Sequence, residues 1–292
     1  NSVFPKLRES TSASVASTRA LAEQWHNTYN GRMKYAVAPR FVLSCSDSLL
    51  KEAHEMLSNF PGMLYHTHAS ENTSEVQAVR ERCKMENIEF LHHLGILSER
   101  ACLAHCIHLN DHEINLLAST RTNVAHCPSS NLKLGSGIAD VPRLQAKGIN
   151  VSLGADGAPC NNNLNMFQEM RLASLVQKPI HGPTSMPARS VFEMATLRGA
   201  QALGLQREIG SIEVGKKADI VLLDMDNVWN STLPEKDISS TIVYSATPEN
   251  VDSVMIDGKW VYKNKQFVSI DKEKLVQESR IELKQLLERV EV

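Results

Sequence analysis

Met63-Leu64-Tyr65-His66-Thr67-His68-Ala69-Ser70-Glu71 is an apolar-led run that turns polar at its carboxyl end. Ala101-Cys102-Leu103-Ala104-His105 and Ile149-Asn150-Val151-Ser152-Leu153-Gly154-Ala155-Asp156 repeat the design. Polar residues that end successive buried strands are where barrel enzymes place their chemistry. Between these runs lie stretches of helical spacing: 47–60, 72–86, 111–119, 141–147 and 163–176. Strands are expected near 36–44, 63–66, 102–106, 123–127 and 150–155. Strict strand–helix alternation calls for parallel β/α units with right-handed crossovers. The fold class is therefore α/β. A closed eight-unit barrel needs three strands more than the five counted.

Upstream, residues 10–29 read as a helix. Beyond a helix at 188–203 the texture changes. Glu208–Gly215 and Ala218–Leu223 read as short strands joined by glycine turns, and Val254–Tyr262 as a hairpin turning at Asp257-Gly258. Lys272–Val290 reads as an amphipathic helix with Leu275, Val276, Ile281, Leu286 and Leu287 facing inward. The expected divisions are 1–205 for the barrel part, 206–270 for a β-sandwich portion and 271–292 for a C-terminal helix.

The 292 residues are 42% hydrophobic and 22% charged, ordinary for a globular chain. A net charge of -2 gives no electrostatic reason to expect nucleic acid or an anionic membrane as partner. No apolar run is long enough to span a bilayer. The six cysteines form no C-x-x-C pair and no disulfide framework, which suits a reducing cytoplasm. The chain opens on Asn1, so a processed protein or a fragment is expected.

Zinc or iron takes imidazole and carboxylate ligands, and His68 and Asp156 supply one of each. Glu71, three residues past His68, is placed to deliver a proton, and His105 to orient or polarise the reacting group. Each has a plainer reading: a hydrogen-bonded core histidine, a turn-forming aspartate beside glycine, a helix N-terminal carboxylate. Their recurrence at the ends of successive strands favours the catalytic one. His126, in Ala125-His126-Cys127-Pro128, is balanced between a pocket residue and a structural one. His92, His93 and His108 read as surface or loop residues. His66-Thr67-His68 has the form of a metal-binding pair, but spacing argues against a first-strand site. Only 88 positions separate His68 from Asp156, room for three units of ~30 residues. His68 thus falls on the fifth strand of eight, and His66 is a bystander.

Taken together, these residues resemble the amidohydrolase superfamily, in its aminohydrolase branch of purine and triazine deaminases and chlorohydrolases. The strings that carry the resemblance are APRFVLSCSD (38–47), HTHASENTSEV (66–76), LAHCIHL (103–109), VAHCPSSNLKLGSG (124–137), LGADGAPCNNNLNMFQEMRLASL (153–175) and IGSIEVGKKADIVLLD (209–224). The resemblance implies a (β/α)8 TIM-type barrel with a small β-sandwich built from both chain ends. It implies zinc, occasionally iron, held by two first-strand histidines and by the residues matching His68 and Asp156. It implies hydrolytic deamination of an aminopurine by metal-bound hydroxide, with ammonia released. Glu71 would protonate the ring nitrogen, His105 steady the hydroxide, and Asp156 shuttle the water proton. Pro39-Arg40-Phe41 resembles guanine deaminases, in which Arg40 and Phe41 would contact the base. The longer segment around Asp156 is closer to deaminases of 5'-deoxyadenosine, methylthioadenosine and S-adenosylhomocysteine.

The first sandwich strands and first three barrel units, with their H-x-H pair, have no counterpart here, an offset of about 130–150 residues. An inactive fragment or scaffold, a guanine deaminase and an s-triazine chlorohydrolase or aminohydrolase are the alternatives. The expected partner is a small aminopurine, and a homo-oligomer is expected.

Overall fold

The computed structural model describes residues 8–228, 230 and 237–289. Five strands, β1 Ala36–Val37, β2 Leu64–Ala69, β3 Ala101–His105, β4 Asn123–His126 and β5 Val151–Leu153, form one sheet. They pair in the order β1-β2-β3-β4-β5, all parallel. Sequential order with helical crossovers is the α/β arrangement that the alternation dictates.

Period-two patterning sorts the side chains of β2. Tyr65, Thr67 and Ala69 are buried, while Leu64, His66 and His68 on the other face keep partial exposure. Tyr65, Leu103, Val124 and Val151 join the main core with Leu91, Leu117 and Leu144 from the flanking helices. Each large apolar side chain buried this way contributes roughly 1.5–3 kcal/mol. The register sets Ala69 opposite His105 and His68 opposite Ala104, so two histidines from neighbouring strands reach the same rim.

Helix boundaries follow local chemistry. Asn72 accepts the Glu75 amide at 2.9 Å and starts helix Thr73–Cys83. Asn110 and Glu113 cap each other at the start of Asp111–Ser119. The expected first strand shrinks to two residues. Pro39 lacks a donor for a ladder, and the chain enters a tight turn at Val42–Ser44. The first helix ends at Trp25, before a left-handed Asn27. Two short helices, Pro128–Lys133 and Ala158–Asn161, occupy stretches with no helical periodicity. Both carry proline in the first turn, where its missing amide costs nothing.

A separate antiparallel sheet holds β6 Ile220–Leu223, β7 Val251–Ile256, β8 Lys259–Lys263 and β9 Gln266–Phe267, in that order. Asp257 and Gly258 both take positive φ, as a type I′ hairpin requires. Glu208–Gly215 does not form a strand. It runs through turns with Ile212 and Val214 fully open, because no neighbouring strand pairs with it among the described residues. The last helix, Lys272–Arg289, forms as expected, but none of its described residues is buried. Leu275, Val276, Ile281, Leu286 and Leu287 face solvent and not a core. Val290, expected to close this helix, lies outside the described residues. No helix among them is long and apolar enough to cross a membrane.

Candidate active site

At the carboxyl end of β2, the Arg40 carbonyl accepts the backbone amide of His68 at 3.0 Å and its ring Nδ1 at 2.7 Å. A carbonyl can only accept, so Nδ1 carries the proton and Nε2 keeps its lone pair. That is the tautomer a metal ligand needs, oriented by its second nitrogen. The Arg40 side chain is exposed, its guanidinium 6.0 Å from the ring of Phe41. This string therefore borders the site through its backbone.

His105 ends β3 with φ +73, followed by Cys106 at +49. The ring is fully buried and its Nδ1 meets Asn131 Oδ1 at 2.8 Å. Its Nε2 lies 3.7 Å from Glu71 Oε2 and has no other partner among the described residues. The rings of His68 and His105 stack with centroids 5.3 Å apart.

Asp156 follows β5 with φ +61. Its carboxylate accepts Ser130 Oγ at 2.5 Å and the Gly157 amide at 2.6 Å. Burial pushes its pKa up, but the two hydrogen bonds and the nearby His105 and His68 outweigh burial and leave it below the ordinary value. The same proximity brings the ends of β2, β3 and β5 together at one rim. Glu71, just past β2, completes the set, its Oε1 accepting from Ser136 Oγ at 3.1 Å.

His126 is 1% exposed with both ring nitrogens unpartnered. Burial, reinforced by His105, pulls its pKa down to about 4. His66 donates from Nδ1 to the Cys102 carbonyl at 3.0 Å, with its ring 6.2 Å from that of His68. His92 and His93 are exposed, as expected. His108 lies in the loop after β3, as expected, and is half-buried there, with Nε2 2.7 Å from the Ser136 carbonyl. Ser130, Asn131 and Ser136 escaped the sequence reading. The signal for the first two is the polar run Ser129-Ser130-Asn131, starting three residues after His126, too hydrophilic for a buried helix unless its side chains have partners.

The donor types suit zinc or iron, with His68 Nε2 free and Asp156 ionised. The number falls short: among the described residues no three His, Cys, Asp or Glu side chains group closely enough to hold a metal.

The Amidohydrolase family matches residues 2–261. The chain belongs to that family. It is 41% identical over 271 residues to a 5'-deoxyadenosine deaminase of Methanothermobacter thermautotrophicus, covering 92% of this chain and 62% of the relative. It is 37% identical over 270 residues to a 5-methylthioadenosine/S-adenosylhomocysteine deaminase of Moorella thermoacetica, again 92% and 62%. Among solved structures, an adenosine deaminase from Xanthomonas campestris with bound zinc superposes at a TM-score of 0.88. It shares 31% identity, over 94% of this chain and 62% of the other. The chain spans about 62% of the length of these relatives. Within this amidohydrolase the parallel sheet is TIM-barrel-like, and at least one relative holds zinc.

Proposed function

We propose that the protein carrying this chain hydrolytically deaminates an aminopurine of the 5'-deoxyadenosine, methylthioadenosine or S-adenosylhomocysteine type. The observation that carries the reading is the meeting of Glu71, His105 and Asp156 at one rim, from three strands. The deaminase relatives support the substrate class. Hydrolysis forms a bond from water oxygen to the amino-bearing ring carbon and breaks the carbon–nitrogen bond, so that ammonia leaves. Glu71 delivers a proton to the adjacent ring nitrogen, making that carbon electrophilic. Asp156, held ionised, accepts one proton of the water and passes it to the departing amine, while the other water proton returns to Glu71 and replaces the one it gave. His105, with its proton fixed on Nδ1 toward Asn131, turns Nε2 toward the reacting oxygen and Glu71. Zinc or iron held by His68 and Asp156, with further ligands from outside the described residues, would supply a Lewis acid that lowers the pKa of water from about 15.7 to roughly 7.

Arg40, Phe41 and His126 are our candidates for substrate contacts. Guanine is the second reading, supported by the backbone contact of Arg40 with His68 at the rim. We further infer that the five parallel strands belong to an eight-stranded barrel, that the parts divide at 205 and 270, and that the protein is cytoplasmic. The free cysteines support that compartment. The open apolar face of the last helix supports a homo-oligomer. The test is loss of purine absorbance by the zinc-loaded full protein with several adenosine derivatives and with guanine. Turnover of none rejects the reading, and turnover of guanine alone transfers it to the second.

A further inference from the structure

We infer that Ser136 and Glu75 are positioning residues that hold Glu71 from its two ends; the inference rests on the deaminase reading for its kinetic consequence. Glu71 belongs to no strand or helix. It sits between β2 and helix Thr73–Cys83, where a free side chain would sample several rotamers. Ser70 turns the chain with φ +52, and its carbonyl accepts the amides of Ile107 at 3.0 Å and His108 at 3.1 Å. The Glu71 amide then donates to Glu75 Oε2 at 2.7 Å. Glu75 is 6% exposed, and its Oε1 takes Asn87 Nδ2 at 2.7 Å. A buried carboxylate is costly unless its oxygens are paired, so Glu75 fixes the backbone of Glu71 in place.

The carboxylate end is fixed by Ser136 Oγ. Ser136 lies between two left-handed glycines, Gly135 and Gly137, and its own amide donates to the Asn131 carbonyl at 2.9 Å. Asn131 is the residue that holds His105. One turn therefore aims both the proton donor and the imidazole facing it. Glu113 and Glu169 are buried carboxylates of the same kind, but the amides they accept belong to Ile88, Asn110 and Ser129. Only at Glu75 is the amide served that of a site residue.

The test uses the zinc-loaded full protein with Ser136→Ala, Ser136→Thr and Glu75→Gln. Ser136→Ala should lower kcat about ten- to a hundredfold while leaving KM, zinc content and melting temperature unchanged. Ser136→Thr, which keeps the hydroxyl, should restore most of the rate. A crystal structure of Ser136→Ala should show the Glu71 carboxylate turned away from His105, beyond the 3.7 Å of the native pair, with the His105–Asn131 contact intact. Glu75→Gln should act in the same direction, and the serine pair decides the matter if that variant fails to fold. Wild-type kcat with an unmoved Glu71 in Ser136→Ala overturns the inference. If the wild-type protein deaminates no purine, the deaminase reading has failed, and the crystal structures alone then decide whether the clamp exists.

Discussion

The imidazoles of His68 and His105 lie nearly parallel, 24° between planes, although they come from different strands. The register alone would stagger them by one residue, since His68 faces Ala104. The left-handed turn at His105 swings its ring back over that of His68. With Arg40 holding one Nδ1 and Asn131 the other, neither ring is free to rotate.

His68→Ala should weaken zinc binding by at least tenfold, on the order of what loss of even an orienting partner costs. The fold should survive, because His68 lies on the partly open face of β2. Metal analysis after dialysis checks this. Full zinc content in the variant would remove His68 from the ligand set.

Glu71→Gln keeps an acceptor for Ser136 but has no proton to give. Turnover should fall by about 10²–10⁴ while bound zinc is unchanged. A rate near wild type would take the proton-delivering role away from Glu71.

His126 makes stability depend on pH. The folded protein holds it neutral, its pKa pulled to about 4 from 6.5 by burial and by His105. Below about pH 6.5 the unfolded chain takes up a proton that the folded form refuses, so stability is whole above that pH. It should fall by up to about 3 kcal/mol as pH drops toward 4, then level off. Thermal unfolding of wild type and His126→Leu between about pH 7 and 4.5 gives the comparison. An equal drop in both proteins would show that the histidine contributes nothing.

Gly210 should be intolerant of a side chain. It sits at φ +92, and a Cβ there would lie 2.6 Å from Ala200 Cβ and 3.1 Å from Leu197 Cα, against helix Leu197–Ala202. Gly210→Ala should cost about 2–4 kcal/mol, from the left-handed backbone together with the overlap. Gly204→Ala, also left-handed at φ +69 but with open space around it, should cost only about 1–2 kcal/mol. Denaturant melts that rank the two the other way would contradict the packing account.

Strand ends were the legible part of this molecule. An apolar run followed by His or Asp marks a buried strand, so β2, β3 and β5 could be read directly, although β2 runs on to Ala69, three residues past its expected end. The hairpin of β7 and β8 was legible from Asp257-Gly258, again from local sequence. What could not be read depends on partners distant in sequence. Whether Leu275 and Leu286 are covered is decided by what packs on the helix, which periodicity does not state. Ile212 and Val214 alternate as a strand would, yet need a neighbour to become one. Ser136 reaches Glu71 across 65 positions through a turn between two glycines, and nothing in either segment names the other. His108 lies in a loop between Ile107 and Leu109, and its contact with the Ser136 carbonyl, 28 positions away, is no more legible.

Four non-glycine residues at the rim, Ser70, His105, Cys106 and Asp156, occupy left-handed backbone. Each conformation costs about 1–2 kcal/mol that the sheet and helices below must supply. The rim is thus under tension. On heating, these turns should let go first, several degrees before the strands themselves come apart.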